Sequence, residues 1–440
     1  MEAVPLTREG SFSQETSSPQ SPFEARTPTT DSPPSLSGVN TPDTEYSVNF
    51  SPSRGSSPSN SLSEDDFILV IGGFGYIGSH TSWELLQAGK NVIIIDNLSN
   101  SEQNVHDKLE YLRDNHYKAR ASWPILDFYQ GDYRDRKLLQ TIFAKYEDPL
   151  KSVSGSPSAS TSKITGVIHF AGFKSVSESF KKPLDYYANN VCGLVDFCST
   201  LSDFGIKTIV FSSSATVYGE LANGDGRLLE EQCDNRACAG LTNPYGRTKW
   251  MCEAILNDLA VSDPTWNITV LRYFNPIGCD ESGVLGEEPR GTPNNLMPIL
   301  VKVMSGELPV LNIFGTDWDT PDGTAIRDFI HVSDLAQGHL AALRAMKNPD
   351  LSAGYHVYNL GSGTGHSVKE VVTAMENVSG RLIPIHETER RQGDVGICVA
   401  ETSKSAVSLN WKTQKTLSQA CRDICYYLGY IGEKSASTYV

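Results

Sequence analysis

No apolar run in this 440-residue chain reaches the roughly 18 residues that a membrane-spanning helix needs. The opening MEAVPLTREG lacks a basic stretch followed by an apolar one, so no secretory signal is read there. Basic residues are outnumbered: 37 Lys and Arg against 52 Asp and Glu leave a net charge of −15. That balance argues against a nucleic-acid binder, which shows a basic face, and against docking on an anionic membrane. Cysteine is sparse and unpatterned. The nine cysteines include no Cys-x-x-Cys, and Cys421 and Cys425, one helical turn apart, are too few for a zinc site. No metal is expected, and the thiols are read as reduced, in a cytoplasmic protein. Hydrophobic residues make up only 39%, and the shortfall is local: residues 1–66 hold ten acids, three bases and few aliphatics.

What is present falls into two kinds of sequence. Residues 1–66 are rich in Ser, Pro and Thr, cannot bury enough apolar area to offset the entropy of ordering, and are expected to be disordered. Seven Ser-Pro or Thr-Pro pairs there, from Ser18-Pro19 to Ser57-Pro58, fit either a phosphorylated regulatory tail or an extension that proline merely keeps open. From Phe67 the text changes. Phe67–Ile71 and Asn91–Asp96 are short continuous aliphatic runs, the signature of parallel strands buried on both faces. Similar runs occur at 166–170, 208–212, 268–273 and 356–360, with helical stretches between them, notably 184–201, 245–259 and 332–346. The alternation predicts an α/β fold, a doubly wound parallel sheet of the Rossmann type. The Ser-rich stretch at 150–163 reads as a loop insertion.

Gly72, Gly75 and Gly78 lie in GGFGYIG, directly after the first strand and opening a helix. Missing side chains allow a sharp turn and let a pyrophosphate approach the helix N-terminus. The next strand ends in Asp96, where a carboxylate can accept from the adenosine ribose hydroxyls and would repel a 2′-phosphate, so NAD+ is favoured over NADP+. Gly131-Asp132-Tyr133 and Phe170-Ala171-Gly172 stand where such a fold touches the adenine and the cofactor backbone.

Ser212-Ser213-Ser214 ends another strand, and Tyr245 and Lys249 follow at a helical i, i+4 spacing that puts phenol and ammonium on one face. A neighbouring ammonium, together with a positive nicotinamide, is expected to lower the phenol from its usual value near 10 toward neutrality. The phenolate could then take a proton from a sugar hydroxyl, with Ser214 bridging substrate oxygen and phenol.

With these residues in place the chain, from about Phe67 to Tyr430, resembles the UDP-galactose 4-epimerase family of the extended short-chain dehydrogenase/reductase superfamily. GGFGYIGSH, DNLSNS, HFAGFKSVSES, FSSSATVYG, NPYGRTK, LRYFNPIG, GTPNNLMP, GTAIRDFIHVSDLA and RRQGDV carry the resemblance, in the family's order. It implies a tightly held NAD+ that is not consumed. The cofactor would be contacted by Gly75, Tyr76, Ile77, Asp96, Asn97, Asn100, Ser101, Asp132, Phe170, Lys174, Asn189, Tyr245, Lys249 and Tyr273. Tyr245 would be the base, Ser214 its partner and Lys249 the tuning cation. Hydride would leave hexose C4, and the resulting ketose would turn over before receiving it on the other face. A UDP-hexose that must swing has to be held by its nucleotide. The resemblance puts Arg327 and Arg391 at the diphosphate, Asp394 near the ribose, and Asn312 and Phe314 near the uracil. Lys174, Thr216, Phe274, Asn275, Asn295 and Leu296 take other substrate contacts. Read alone, Asn294-Asn295 could be a helix cap and Arg390-Arg391 a solvated pair. The implied domains are an NAD-binding one at 67–275, returning at about 329–361, and a smaller UDP-sugar-binding α/β domain at 276–328 and 362–432. A homodimer is implied through the 184–201 and 245–259 helices. Cys398 stands where the family limits room beside the sugar's C2 substituent. A small residue there suggests that N-acetylated UDP-hexosamines are accepted too. A dehydratase or decarboxylase of the superfamily needs an acid just before Val217-Tyr218-Gly219; Ala215 and Thr216 supply none.

Overall fold

The computed structural model describes residues 66–148, 162–224, 226–233, 240–288, 290, 291, 293, 295–348, 353–391 and 393–432. The Ser/Pro-rich tail and most of the 150–163 insertion lie outside them.

The aliphatic run Phe67–Ile71 forms β1, buried along its whole length. It is followed by α1 (Tyr76–Gln87), β2 (Asn91–Asp96), α2 (Asn104–Tyr117), β3 (Leu126–Gln130), α3 (Arg136–Lys145) and β4 (Ile164–His169). Then come α4 (Val176–Lys181), α5 (Pro183–Tyr186), a π-helical turn (Tyr187–Cys192), α6 (Gly193–Asp203) and β5 (Thr208–Ser214). A 3₁₀ segment (Ala215–Asn223) leads toward α7 (Pro244–Ser262), β6 (Asn267–Tyr273) and β7 (Asn275–Ile277). The remainder is α8 (Leu296–Met304), β8 (Leu311–Phe314), β9 (Ile326–His331), α9 (Val332–Ala345), β10 (Gly354–Leu360), β11 (Gly365–Ser367), α10 (Val368–Ser379), β12 (Ile385–Thr388), β13 (Ile397–Cys398), α11 (Ser403–Ser408) and α12 (Leu417–Tyr427).

Seven strands form one parallel sheet in the order β10-β6-β5-β4-β1-β2-β3. Alternation along β1 and β2 splits the core into two layers. Ile68, Val70, Val92 and Ile94 pack with Leu85, Leu86, Leu109, Leu335 and Leu340 from α1, α2 and α9. Leu69, Ile71, Ile93 and Ile95 pack on the other face with Leu139, Phe143, Leu194, Phe197 and Leu256 from α3, α6 and α7. Strand order reverses between β1 and β4, the crevice where doubly wound sheets bind ligands. A third cluster, including Leu300, Phe329, Met375 and Ile424, supports α8, α10 and α12 beside β9 and its partners β7, β11 and β13.

All six strands expected from the sequence are present. The seventh, β3, lies at one of the sheet's two edges, where residues 127–129 are only partly buried and Gln130 is exposed. Its text, LDFYQ, therefore lacks the unbroken apolar run by which the others are recognised. The single helix expected over 184–201 is instead α5, the π turn and α6. Among the described residues no helix is long and apolar enough to cross a membrane, and the eight described cysteines are free thiols.

Candidate active site

A cleft of about 990 Å³ runs along the C-terminal ends of the central strands. Its floor begins at the glycine turn. Gly72 has φ +76°, and a Cβ there would sit 3.0 Å from the Ala171 nitrogen. A Cβ on Gly78 would run into the Gly72 carbonyl and come within 2.9 Å of the Gly73 Cα. Only glycine lets α1 start this close to β1. Gly75 caps α1 without a side chain, and no acid stands in the first turn. The helix thus offers unpartnered N–H groups and its positive end to an anion.

Asp96, at the tip of β2, accepts from the Phe74 amide at 3.0 Å, the Leu98 amide at 2.8 Å and the Ser101 hydroxyl at 2.9 Å. This fixes its carboxylate at the cleft wall. Glycines that only the absence of a Cβ permits, a bare helix N-terminus and an oriented acid together fit a dinucleotide.

At the centre, α7 is started by Asn243, whose side chain accepts from the Gly246 amide at 2.8 Å, with Pro244 at its first position. This start aims Tyr245 and Lys249 at the ends of β5 and β6. The Lys249 ammonium donates to the Ser212 carbonyl at 2.6 Å and lies 4.8 Å from the Phe211 ring centre. Burial pushes its pKa down to about 8, while the nearby Cys252 and Glu253 act the other way. Ser214 hydrogen-bonds Tyr245 and also accepts from the Thr216 hydroxyl at 3.0 Å. Burial pushes the Tyr245 phenol up to about 12, with the Ser214 bond pulling it down. Among the protein's own groups, burial thus outweighs the Ser214 bond, and the fall toward neutrality expected from the sequence rests on the nicotinamide's positive charge as well as on Lys249.

The far end of the cleft is built on β9 and the 390–398 segment. Arg327 donates to Asp394 at 2.5 Å, and Arg391 donates to the same carboxylate at 3.1 Å while lying 4.7 Å from the Phe314 ring centre. One carboxylate so holds two guanidiniums at the cleft. Arg390 is turned away, stacked 3.8 Å from the Trp318 ring centre and paired with Asp317. Asn295 is the N-cap of α8, yet its side chain makes no capping bond and borders the cleft.

The expected residues Gly72, Gly75, Tyr76, Ile77, Gly78, Asp96, Asn97, Asn100, Ser101, Tyr133, Phe170, Ala171, Gly172, Lys174, Asn189, Ser214, Thr216, Tyr245, Lys249, Tyr273, Phe274, Asn275, Asn295, Leu296, Phe314, Arg327, Arg391, Asp394 and Cys398 all border this cleft. Asp132 and Asn312 do not. The Asp132 carboxylate is taken by Arg134 at 2.7 Å, which holds it below the usual carboxylate range. Asn312 is on the exposed face of β8, 3.2 Å from the His386 ring. Glu287 also borders the cleft and was not foreseen. Burial raises its carboxyl and the Lys174 cation opposes the rise. Its position in GEEP, just ahead of GTPNNLMP, was the available signal.

Known proteins resemble this chain over most of its length. The family model described as GDP-mannose 4,6 dehydratase matches residues 69–424. The chain is 44% identical over 358 residues to UDP-glucose 4-epimerase of Haemophilus influenzae, covering 81% of this chain and 95% of that protein. It is 44% identical over 357 residues to the Bos taurus enzyme of the same name, covering 81% and 94%. The structure of UDP-glucose 4-epimerase from Bifidobacterium longum in complex with NAD+ and UDP superposes with a TM-score of 0.72 at 40% identity, covering 82% of this chain and 98% of that one. With a glycine turn, an oriented acid, a Ser-Tyr-Lys group and a paired-arginine end all along one cleft, and with relatives aligned over nearly their whole length, this chain belongs to the UDP-glucose 4-epimerase family, within the extended short-chain dehydrogenase/reductases.

Proposed function

We propose that this protein interconverts UDP-galactose and UDP-glucose by transient oxidation at hexose C4, with a resident NAD+ that is not consumed. The observation that carries the reading is that Tyr245, Lys249 and Ser214 stand in one cleft between the glycine turn of α1 and the Arg327–Asp394–Arg391 cluster. NAD+ held there would supply the hydride acceptor and donor for that one carbon. The chain's residues do the rest. Tyr245 takes and gives back the hydroxyl proton, Ser214 relays its hydrogen bond, and Lys249 supplies positive charge. The two guanidiniums take the diphosphate in the forked geometry that suits phosphate oxygens. Gripping the nucleotide leaves the hexose free to present either face. Residues 67–275 with about 329–361 would serve the dinucleotide, and 276–328 with 362–432 the UDP-sugar. At the position before Val217-Tyr218-Gly219 stand Ala215 and Thr216, so no carboxylate is on hand to eliminate water.

UDP-galactose added to the purified protein without external NAD+ should yield UDP-glucose with no net NADH. NADH accumulating with product, or a requirement for added NAD+ at each turnover, would point to an ordinary dehydrogenase instead. The glycine turn gives a second expected result. Gly78→Val forces α1 away from the Gly72 carbonyl, so the variant should purify with little or no dinucleotide, read by mass analysis of the acid-released nucleotide. Stoichiometric NAD+ in that variant would contradict the assignment of the groove.

The same reading extends to assembly and range. Leu184 on α5, Val195 on α6 and Val261 on α7 are exposed apolar side chains, and this supports a homodimer through these helices. Cys398 supports acceptance of UDP-N-acetylhexosamines as well.

A further inference from the structure

Behind the Ser-Tyr-Lys group lies an ion pair that is almost entirely out of solvent: the Arg272 side chain is 1% exposed and Glu253 is fully buried. Such pairs are expensive to desolvate and are often replaceable by apolar residues without loss of stability, so one in this position calls for a reason. Glu253 follows Lys249 by one turn of α7 and Tyr245 by two, and all three are buried. Its Oε2 accepts from Arg272 Nη2 at 2.7 Å and its Oε1 from Arg272 Nε at 3.1 Å. Oε1 also accepts from the Ser213 hydroxyl, next in sequence to Ser214.

Arg272 leaves no N–H idle. Nη1 donates to the Tyr218 hydroxyl at 3.1 Å and the Glu230 carbonyl at 3.0 Å, and Nη2 also donates to the Cys233 carbonyl at 2.8 Å. Tyr218 in turn donates to Asn359 Oδ1 at 2.6 Å. The pair thus ties α7 to the ends of β5, β6 and β10 and to the 3₁₀ segment that holds Thr216.

Resting on the function proposed above, we propose that Glu253, locked by Arg272, is a positioning residue for the reaction: through Ser213 it sets the Ser214 hydroxyl against the Tyr245 phenol, and from behind it supports the charge on Lys249. The surroundings of Lys249 bear out the second part. Its own helix presents Tyr245, Cys252 and Glu253. The β4 end presents His169, which burial and Lys249 itself push down to about 3 and so keep uncharged. The β5 end presents the Ser212 carbonyl and the Phe211 ring, the β6 end presents Tyr273, and Arg272 lies beyond Glu253. The 170–174 loop brings Gly172, where a Cβ would lie 3.8 Å from the Lys249 ammonium. Burial lowers Lys249, and among these groups the one anion raising it is Glu253, alongside the Cys252 thiol.

The test is Glu253→Gln in the NAD+-loaded enzyme, which keeps the shape and removes the charge. Its kcat on UDP-galactose should fall about 10- to 100-fold with KM little changed, as expected for a small displacement of reacting groups. The alkaline limb of its pH profile should move down by about one unit, because an ammonium without its anion, and with Arg272 unbalanced, loses its proton sooner. Unchanged kcat and an unmoved limb would overturn the proposal. So would a loss of activity that only tracks a loss of folded protein. If the single variant does not fold, Glu253→Gln with Arg272→Met removes both charges at similar volume. That protein should fold and bind NAD+ yet stay slow, and full recovery of kcat would also overturn the proposal. Failure of the function reading itself shows up elsewhere, as wild-type enzyme that makes no UDP-glucose.

Discussion

Tyr245→Phe is expected to cut kcat on UDP-galactose by about a thousandfold, within the range for loss of a positioned acid–base group, while the protein keeps its fold and its dinucleotide. The change removes one oxygen from a buried ring at the cleft and adds nothing. The hydroxyl's partner, Ser214, retains the Thr216 hydroxyl 3.0 Å away, so no buried polar group is stranded. The loss should therefore appear in kcat and kcat/KM together, as for an interaction made only in the transition state. Burial pushes the phenol up to about 12 and Lys249 down to about 8. Activity in the wild type should accordingly rise as the phenol becomes easier to ionise and fail at alkaline pH as Lys249 is neutralised. The measurement is product formation over a pH series, with thermal melting and nucleotide content as controls. A Phe variant as fast as wild type would remove Tyr245 from its role as base.

Tyr245 and Lys249 mark the boundary of what a sequence conveys. Tyr245 and Lys249 were legible because a helix fixes which residues share a face. Their proton affinities were not, because those depend on how completely β5 and β6 bury them. The glycine turn and Asp96 were legible for a related reason: close approach of backbone to ligand admits no Cβ, and that constraint is written as residue identity. Buried parallel strands announce themselves as aliphatic runs, whereas the edge strand β3, LDFYQ, is broken by polar residues and does not. The π turn at Tyr187–Cys192 carries Asn189 and Asn190 and has no sequence signal of its own; π-helical turns of this kind often occur at functional sites. Glu253 and Arg272 lie 19 residues apart and read as charges on a helix face and a strand end. Only the fold reveals that they meet in the core.

Cys398→Tyr is expected to abolish turnover of UDP-N-acetylgalactosamine, by about 100-fold or more relative to UDP-galactose, since a clash with one substrate's extra group discriminates without touching the other. Cys398 ends β13, in register with Arg327 of β9, and both residues border the cleft. The inner side of Cys398 is already filled: Val217, Tyr218, Leu228, Phe274 and Ala400 pack in the same buried cluster. A tyrosine ring therefore has the cleft as its free volume, and an N-acetyl group on the sugar would need the same space. The thiol itself is inert in this argument, because burial pushes it up to about 11 and leaves it protonated at neutral pH. On the proposed range, position 398 acts through its size and not its chemistry, so Cys398→Ser or Cys398→Ala should behave as the wild type does on both UDP-sugars. Comparison of kcat/KM for the two UDP-sugars in wild type and variants decides the matter. Wild-type enzyme active on UDP-galactose but inert toward UDP-N-acetylgalactosamine would refute the proposed range, because the space that Cys398 leaves open would then be closed by something else.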